Sequence, residues 1–323
     1  MRRIAPLIGT VAVLIPATGA TAQAAPPSAK PPAARLTLAT PRLFSVGGTP
    51  VALARQSWTL SVSVSRFVAG QSVTITFTRN GHVLKRVTVP FHRARGGTGA
   101  AATGFQLRDA GRVRVTATHA ATAEQAGMTA RGRIESILPY AAFGSGGLRL
   151  RYLQRRLRGE GYAVSSSGSF DDQTNRAVLA FRKVNGMARG GPAVPHIYRL
   201  LAVGSGSFRP KYRRHGRHME ADLSRQVLGL FNANGRPELV YHVSSGKPST
   251  PTVLGSYYVY SKTPGYNSLG MLDSNYFVEG YAVHGYHEVP TFAASHGCIR
   301  APIPDASTIY GWARYGTRID VYP

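Results

Sequence analysis

Residues 282–302 read AVHGYHEVPTFAASHGCIRAP. The stretch holds His284, His287, His296 and Cys298, the single cysteine among 323 residues. One thiol cannot close an internal disulfide, so it is intermolecular, buried and inert, or reactive. Three chemistries fit the cluster. Cysteine and histidine are zinc ligands, but the paired-cysteine spacing of the common zinc fingers is missing. A lone cysteine also serves as a small core hydrophobe, yet its neighbours are Ser295, His296, Gly297 and Arg300 rather than aliphatics. In the third chemistry a nearby histidine takes the thiol proton and later returns it to a leaving amine. Gly297 permits a tight turn that aims the N–H groups near Gly297 and Cys298 at a developing oxyanion. Arg300 offers a bidentate fork for a substrate carboxylate. The residues point to a cysteine acyl-transfer or peptidase site with an anionic substrate.

Outward from this stretch, the N-terminus sets the compartment. Arg2 and Arg3 precede a short apolar run from Ile4 to Pro16, and Ala22-Gln23-Ala24 is a small-x-small cleavage pattern. Residues 1–24 read as a signal peptide cut after Ala24, too short in its apolar run to span a bilayer, so the membrane is met only in transit. The expected location is the bacterial cell wall or the exterior. The chain carries 39 Lys and Arg against 14 Asp and Glu, a formal net charge of +25. Its arginines are spread along the whole chain, with no helix-turn-helix or zinc-finger spacing, which excludes the usual nucleic-acid binders. Anionic cell-wall polymers suit the charge better.

At about 100–200 residues per domain, the length suggests two or three domains. Residues 25–34, APPSAKPPAA, form a Pro/Ala linker. Over 35–137, Val62, Val64, Val73, Ile75 and Phe77 recur at period two, with Asn80-Gly81 as a hairpin turn. Six or seven strands are expected there, in an Ig-like β-sandwich. Residues 145–203 change to helical spacing. Leu150, Leu153 and Leu157 form one apolar stripe; Ala177, Val178, Phe181 and Val184 form a second, behind an N-cap at Asp171 or Asp172. A third short helix is expected near 195–201. Residues 204–217 read as a basic linker, and 218–323 as a mainly-β catalytic domain with one short helix at PDASTIYGWARY.

Two resemblances follow from these motifs. LQRRLRGEGY…GSFDDQTNRAVLAFRKVNG resembles the peptidoglycan-binding type 1 family, with Ser169 and Arg182 departing from its pattern. The pair His284-Gly285, with Ser295-His296-Gly297-Cys298-Ile299-Arg300 starting eleven positions after His284, resembles the signature of the L,D-transpeptidase (YkuD) family. The second resemblance implies roles for the residues that match. Cys298 becomes the nucleophile, His284 its proton acceptor and donor, and the Gly285 carbonyl the group that orients His284. His296 and the backbone near Gly297 help bind the oxyanion. Arg300 holds the motif together or grips a stem carboxylate, with Ser295 also counted at the substrate. The sequence by itself leaves the base open between His284 and His296. Tyr266 and Tyr276 are candidates for lining the acyl-donor cleft, while His287 reads as a solvated loop residue. The implied activity is cross-linking of peptidoglycan stem peptides, with no cofactor and no metal. The rival readings are an L,D-carboxypeptidase, a non-catalytic wall-binding protein and a zinc peptidase.

Overall fold

A computed structural model describes residues 33–323; the expected signal peptide and nearly all of the expected Pro/Ala linker lie outside them. Ten strands fill the N-terminal region: β1 (Leu36–Ala39), β2 (Phe44–Val46), β3 (Thr49–Leu53), β4 (Ser57–Val64), β5 (Ser72–Arg79), β6 (His82–Pro90), β7 (His92–Arg93), β8 (Gly99–Gln106), β9 (Gly111–His119) and β10 (Met128–Ile137). They form two sheets, in the orders β1-β4-β8-β7 and β2-β3-β10-β9-β5-β6. The inward residues are those with period two. Val62 and Val64 of β4 and Val73, Ile75 and Phe77 of β5 are all buried, and Phe77 stacks on Phe105 of β8 at 5.2 Å. Each such side chain contributes roughly 2 kcal/mol by leaving water. The count exceeds the six or seven expected because β1, β2 and β7 are only four, three and two residues long. Runs that short carry no readable alternation.

Three helices follow: α1 (Leu148–Gly159), α2 (Asp172–Val184) and α3 (Pro195–Ala202). Both apolar stripes turn inward, Tyr152 of α1 stacks on Tyr198 of α3, and Asp171 caps α2 by accepting from Thr174 N at 2.7 Å. Gln154 explains the Leu-Gln pattern. It is buried, donates to the hydroxyl of Thr174 at 2.9 Å, and accepts from Gly168 N at 2.9 Å, so one amide ties α1 to both the 165–169 loop and α2.

The remaining elements are β11 (His218–Asp222), β12 (Val227–Phe231), β13 (Pro237–His242), β14 (Gly255–Tyr258), β15 (Ser261–Tyr266), β16 (Leu272–Val278), β17 (Tyr281–Tyr286), β18 (Ile299–Pro302), α4 (Ile303–Trp312) and β19 (Arg318–Tyr322). They form a five-stranded sheet, β13-β12-β11-β19-β14, and a four-stranded sheet, β15-β16-β17-β18. Met219, Leu228, Val283, Ile299 and Ile319 share the core between them.

Residues 204–217, expected as a linker, are packed instead. Phe208 is buried against Phe231 at 5.6 Å, and the N–H groups of Lys211 and Tyr212 donate to the buried Glu220 carboxylate at 2.8 and 2.7 Å. The basic side chains hid one apolar anchor and a set of backbone donors. Among the described residues, no helix is long and apolar enough to cross a membrane.

Candidate active site

The parallel pairing of β17 with β18 places His284 opposite Arg300 and Val283 opposite Ile299. Cys298 immediately precedes β18, so extending the register by one residue sets it beside Ala282. Side chains two apart share a sheet face. Cys298, Arg300, His284 and Tyr286 therefore point to one side, into a cleft of about 390 Å³ that they line together with His296, Leu269 and Met271.

The imidazole of His284 is buried, and its Nδ1–H donates to the Gly285 carbonyl at 2.9 Å. A carbonyl can only accept, so this bond fixes the tautomer and leaves Nε2 as the basic nitrogen. Burial, with a smaller push from the Arg300 cation, holds His284 down to about 4, against the raising effect of the Gly285 bond. The thiol of Cys298 is half-buried and lies 3.7 Å from the Gly280 carbonyl. Burial raises it above the ordinary cysteine value; the backbone at Ala282 and the Arg300 cation pull less strongly the other way. Both shifts favour the neutral thiol and the neutral imidazole over an ion pair.

Glycine is required twice here. A Cβ on Gly285 would stand 2.6 Å from Cβ of Ala306 in α4. Gly297 has φ +121° and lies under the Tyr281 ring, where a Cβ would come within 2.4 Å. The turn is closed by Ser295, whose hydroxyl donates to the Cys298 carbonyl at 2.6 Å and accepts from Gly297 N at 3.0 Å.

This geometry changes three expectations. The N–H of Gly297 is occupied by Ser295, so it is not a free oxyanion donor; among the described residues, the N–H of Cys298 has no protein acceptor. The Ser295 hydroxyl is engaged on both sides within the turn, while the residue itself borders the cleft. Tyr266 and Tyr276 do not line the cleft. Tyr266 is exposed at the end of β15, and the Tyr276 hydroxyl accepts from Asn267 at 3.3 Å. Asn267 holds the 267–271 loop through Leu269 N and Met271 N, both at 3.0 Å, and that loop supplies the wall. His287 is exposed, with its ring tilted against that of Tyr286 at 4.3 Å.

Arg300 is buried, sits 4.1 Å over the Tyr286 ring and has no carboxylate partner among the described residues. A buried cation without a counter-ion in a cleft is suited to an anionic ligand. Sequence reading missed the 246–252 loop that overlies the turn. Thr252 Oγ1 donates to the Gly297 carbonyl at 2.7 Å, Thr250 Oγ1 to the Ser295 carbonyl at 3.1 Å, and Lys247 Nζ stands 3.4 Å from Nε2 of the exposed His296. Lysine and threonine in a Gly/Pro/Ser loop give no local signal of these contacts. Among the described residues, no cluster of three or more His, Cys, Asp or Glu side chains is arranged to hold a metal ion.

A β-rich domain that sets a thiol, an oriented imidazole and an unpaired guanidinium in one cleft has the layout for nucleophilic acyl transfer. The family model of the YkuD L,D-transpeptidase catalytic domain matches residues 216–321. A crystal structure of the L,D-transpeptidase (residues 123–326) from Xylanimonas cellulosilytica is 31% identical, with a TM-score of 0.53, covering 58% of this chain and 98% of that one. The chain belongs to the L,D-transpeptidase family. Two further solved structures are less similar to this chain. L,D-transpeptidase 3 from Mycobacterium tuberculosis is 12% identical, with a TM-score of 0.30, over 87% of this chain and 98% of that one. An L,D-transpeptidase from Stackebrandtia nassauensis is 18% identical, with a TM-score of 0.35, over 57% and 95%. No curated protein matches.

Proposed function

We propose that this protein is a cysteine L,D-transpeptidase that forms 3→3 cross-links in peptidoglycan. The supporting observation is the placement of Cys298, His284 and Arg300 on one sheet face and in one cleft. Cys298 Sγ attacks the carbonyl that joins the third, diamino residue of a tetrapeptide stem to its terminal D-alanine. As the C–S bond forms, the thiol proton passes to Nε2 of His284. The two neutral groups make a standing ion pair unfavourable, so proton transfer accompanies attack. The Cys298 N–H, with His296 at the cleft edge, faces the developing oxyanion. The C–N bond then breaks, His284 returns the proton to the D-alanine amine, and a thioester remains. The side-chain amine of a neighbouring stem attacks the thioester, its proton passes through His284 back to sulfur, and the cross-link leaves. Arg300 pairs with a stem carboxylate. Water as acceptor makes the same site an L,D-carboxypeptidase.

The signal peptide exports the chain, which N-terminal sequencing of secreted protein tests at Ala24. The three helices bind the wall glycan and raise local substrate concentration, and the net positive charge draws the protein to anionic wall polymers. Intact-mass spectrometry with a tetrapeptide stem tests the chemistry. The wild type should gain the stem less D-alanine, and Cys298→Ala should gain nothing. Cross-linked dimers made by Cys298→Ala would refute the nucleophile; released tripeptide without dimers would assign carboxypeptidase activity.

A further inference from the structure

The outer face of the six-stranded sheet carries positive charge that the fold does not neutralise. In β9, Arg112, Arg114, Thr116 and Thr118 alternate with buried Val113, Val115 and Ala117. The strand registers extend this pattern sideways. Arg133 of β10 lies directly opposite Arg114, and Thr78 of β5 flanks Arg114 on its other side. The neighbouring row runs Arg131, Thr116, Thr76 and Arg86 across four strands. The row after that is threonine throughout: Thr129, Thr118, Thr74 and Thr88. Of the five arginines only Arg112 has a carboxylate, Glu135 at 2.7 Å. Among the described residues, the other four make no salt bridge. Like charges directly opposite destabilise a sheet, so the Arg114–Arg133 pair works against the fold that carries it. Both arginines and Thr78 border a surface depression of about 620 Å³.

We infer that this face binds a linear phosphodiester polymer of the cell wall. Guanidinium forks take phosphate oxygens bidentately and threonine hydroxyls donate to the same oxygens. Rows recur every second residue, about 6.8 Å apart, which suits a chain with one charge per repeat better than a single ion. The three rows carry no aromatic side chain, so neither sugar rings nor nucleobases find a stacking surface. The inference rests on the wall-enzyme reading above, and it concerns a surface that shares no residue with the cleft.

The test is fluorescence anisotropy of the full chain with labelled poly(glycerol phosphate). For about four neutralised phosphates the log–log salt slope should be near −3, so affinity should fall roughly 50-fold between 50 and 200 mM salt. Arg114→Gln/Arg133→Gln should weaken binding at least tenfold. Arg213→Gln/Arg214→Gln, exposed in the 204–217 segment and outside both the sheet and the helices, makes the same change in net charge and should leave it within about twofold. Arg133→Glu separates binding from folding, because it puts a carboxylate opposite Arg114: the melting temperature should hold or rise while polymer binding falls. Acylation of all these variants by a soluble tetrapeptide stem should match the wild type, so a failure here is distinct from a failure of the Cys298 assignment. Equal losses in both glutamine doubles, equally tight binding of polygalacturonate or of single- or double-stranded DNA, or no binding at 50 mM salt would each overturn the inference.

Discussion

Burial holds His284 near 4 and pushes the Cys298 thiol up, and the two shifts make a prediction about reactivity. Alkylation of Cys298 by iodoacetamide should be slow at neutral pH and keep rising past about 8.5, the ordinary thiol value. A plateau near neutrality would mean that a thiolate–imidazolium pair already exists. His284→Gln should leave that curve almost unmoved, yet lower acylation by the stem on the order of 10²–10⁴-fold. Ser295→Ala removes the hydroxyl that bridges Cys298 O and Gly297 N. It should cost about 1–3 kcal/mol in denaturant melts and slow acylation with the thiol still present. At this scale the sequence was most legible where the contacts are local. Ser295 through Arg300 is one short turn, and its residue types state the chemistry. Thr252 and Tyr281 reach the same turn from 45 and 16 residues away in the chain, and neither residue type carries a signal of that approach.

Among the elements, α2 and α4 form a joint that periodicity does not reveal. Arg176 of α2 meets Asp305 in the first turn of α4 with a fork at 2.8 and 3.1 Å. Lys183, on the same helix, is buried and donates to the carbonyls of Gln226 and Val243 at 3.0 and 3.1 Å, with His242 Nδ1 at 3.2 Å. Burial, and then the Arg189 cation, brings Lys183 down to about 7. The helical spacing identified the apolar stripe of α2, but a charged residue inside the next layer looks in sequence like a solvated one. Asp305 sits above its ordinary value, because burial outweighs the Arg176 bonds. Arg176→Met should destabilise the protein by roughly 3 kcal/mol by leaving a buried carboxylate unpaired, and Asp305→Asn added to it should restore part of the loss. Without Arg176 the folded-state value of Asp305 rises further above the unfolded one. The associated stability is then present in acid and lost as pH climbs through the folded value, so the deficit should shrink between about pH 7 and pH 5. Because Ala306 packs against Gly285, the same variant should also slow acylation at temperatures where it remains folded.

In the whole molecule, the sequence suggested units joined by linkers, whereas the structure runs one apolar cluster from the N-terminal sheets through the three helices to Val227, Phe231 and Val240. Phe44 of β2 meets Tyr152 of α1 edge-on at 5.8 Å, and Phe208 from the expected linker closes over Phe231. The family match begins at residue 216, within that packed segment. A fragment cut at this boundary would keep the whole cleft, yet lose Phe208 and two of the donors to Glu220. That carboxylate would keep only His218 and Tyr322 as partners. It would also lose Lys183 and Arg176, uncovering Val227 and Val240 and leaving Asp305 unpaired. A fragment of 216–323 should therefore express poorly or melt at least 10 °C below the full chain, since about 1 kcal/mol moves the midpoint of such a domain by roughly 4–8 °C. A fragment of 145–323 gives up the Phe44–Tyr152 contact but keeps Phe208, all the partners of Glu220, Lys183 and Arg176, and it should melt cooperatively, with acylation by soluble stem unchanged. If 216–323 proved as stable and as readily acylated as 145–323, the helices would be an attachment to the catalytic domain, not part of its fold.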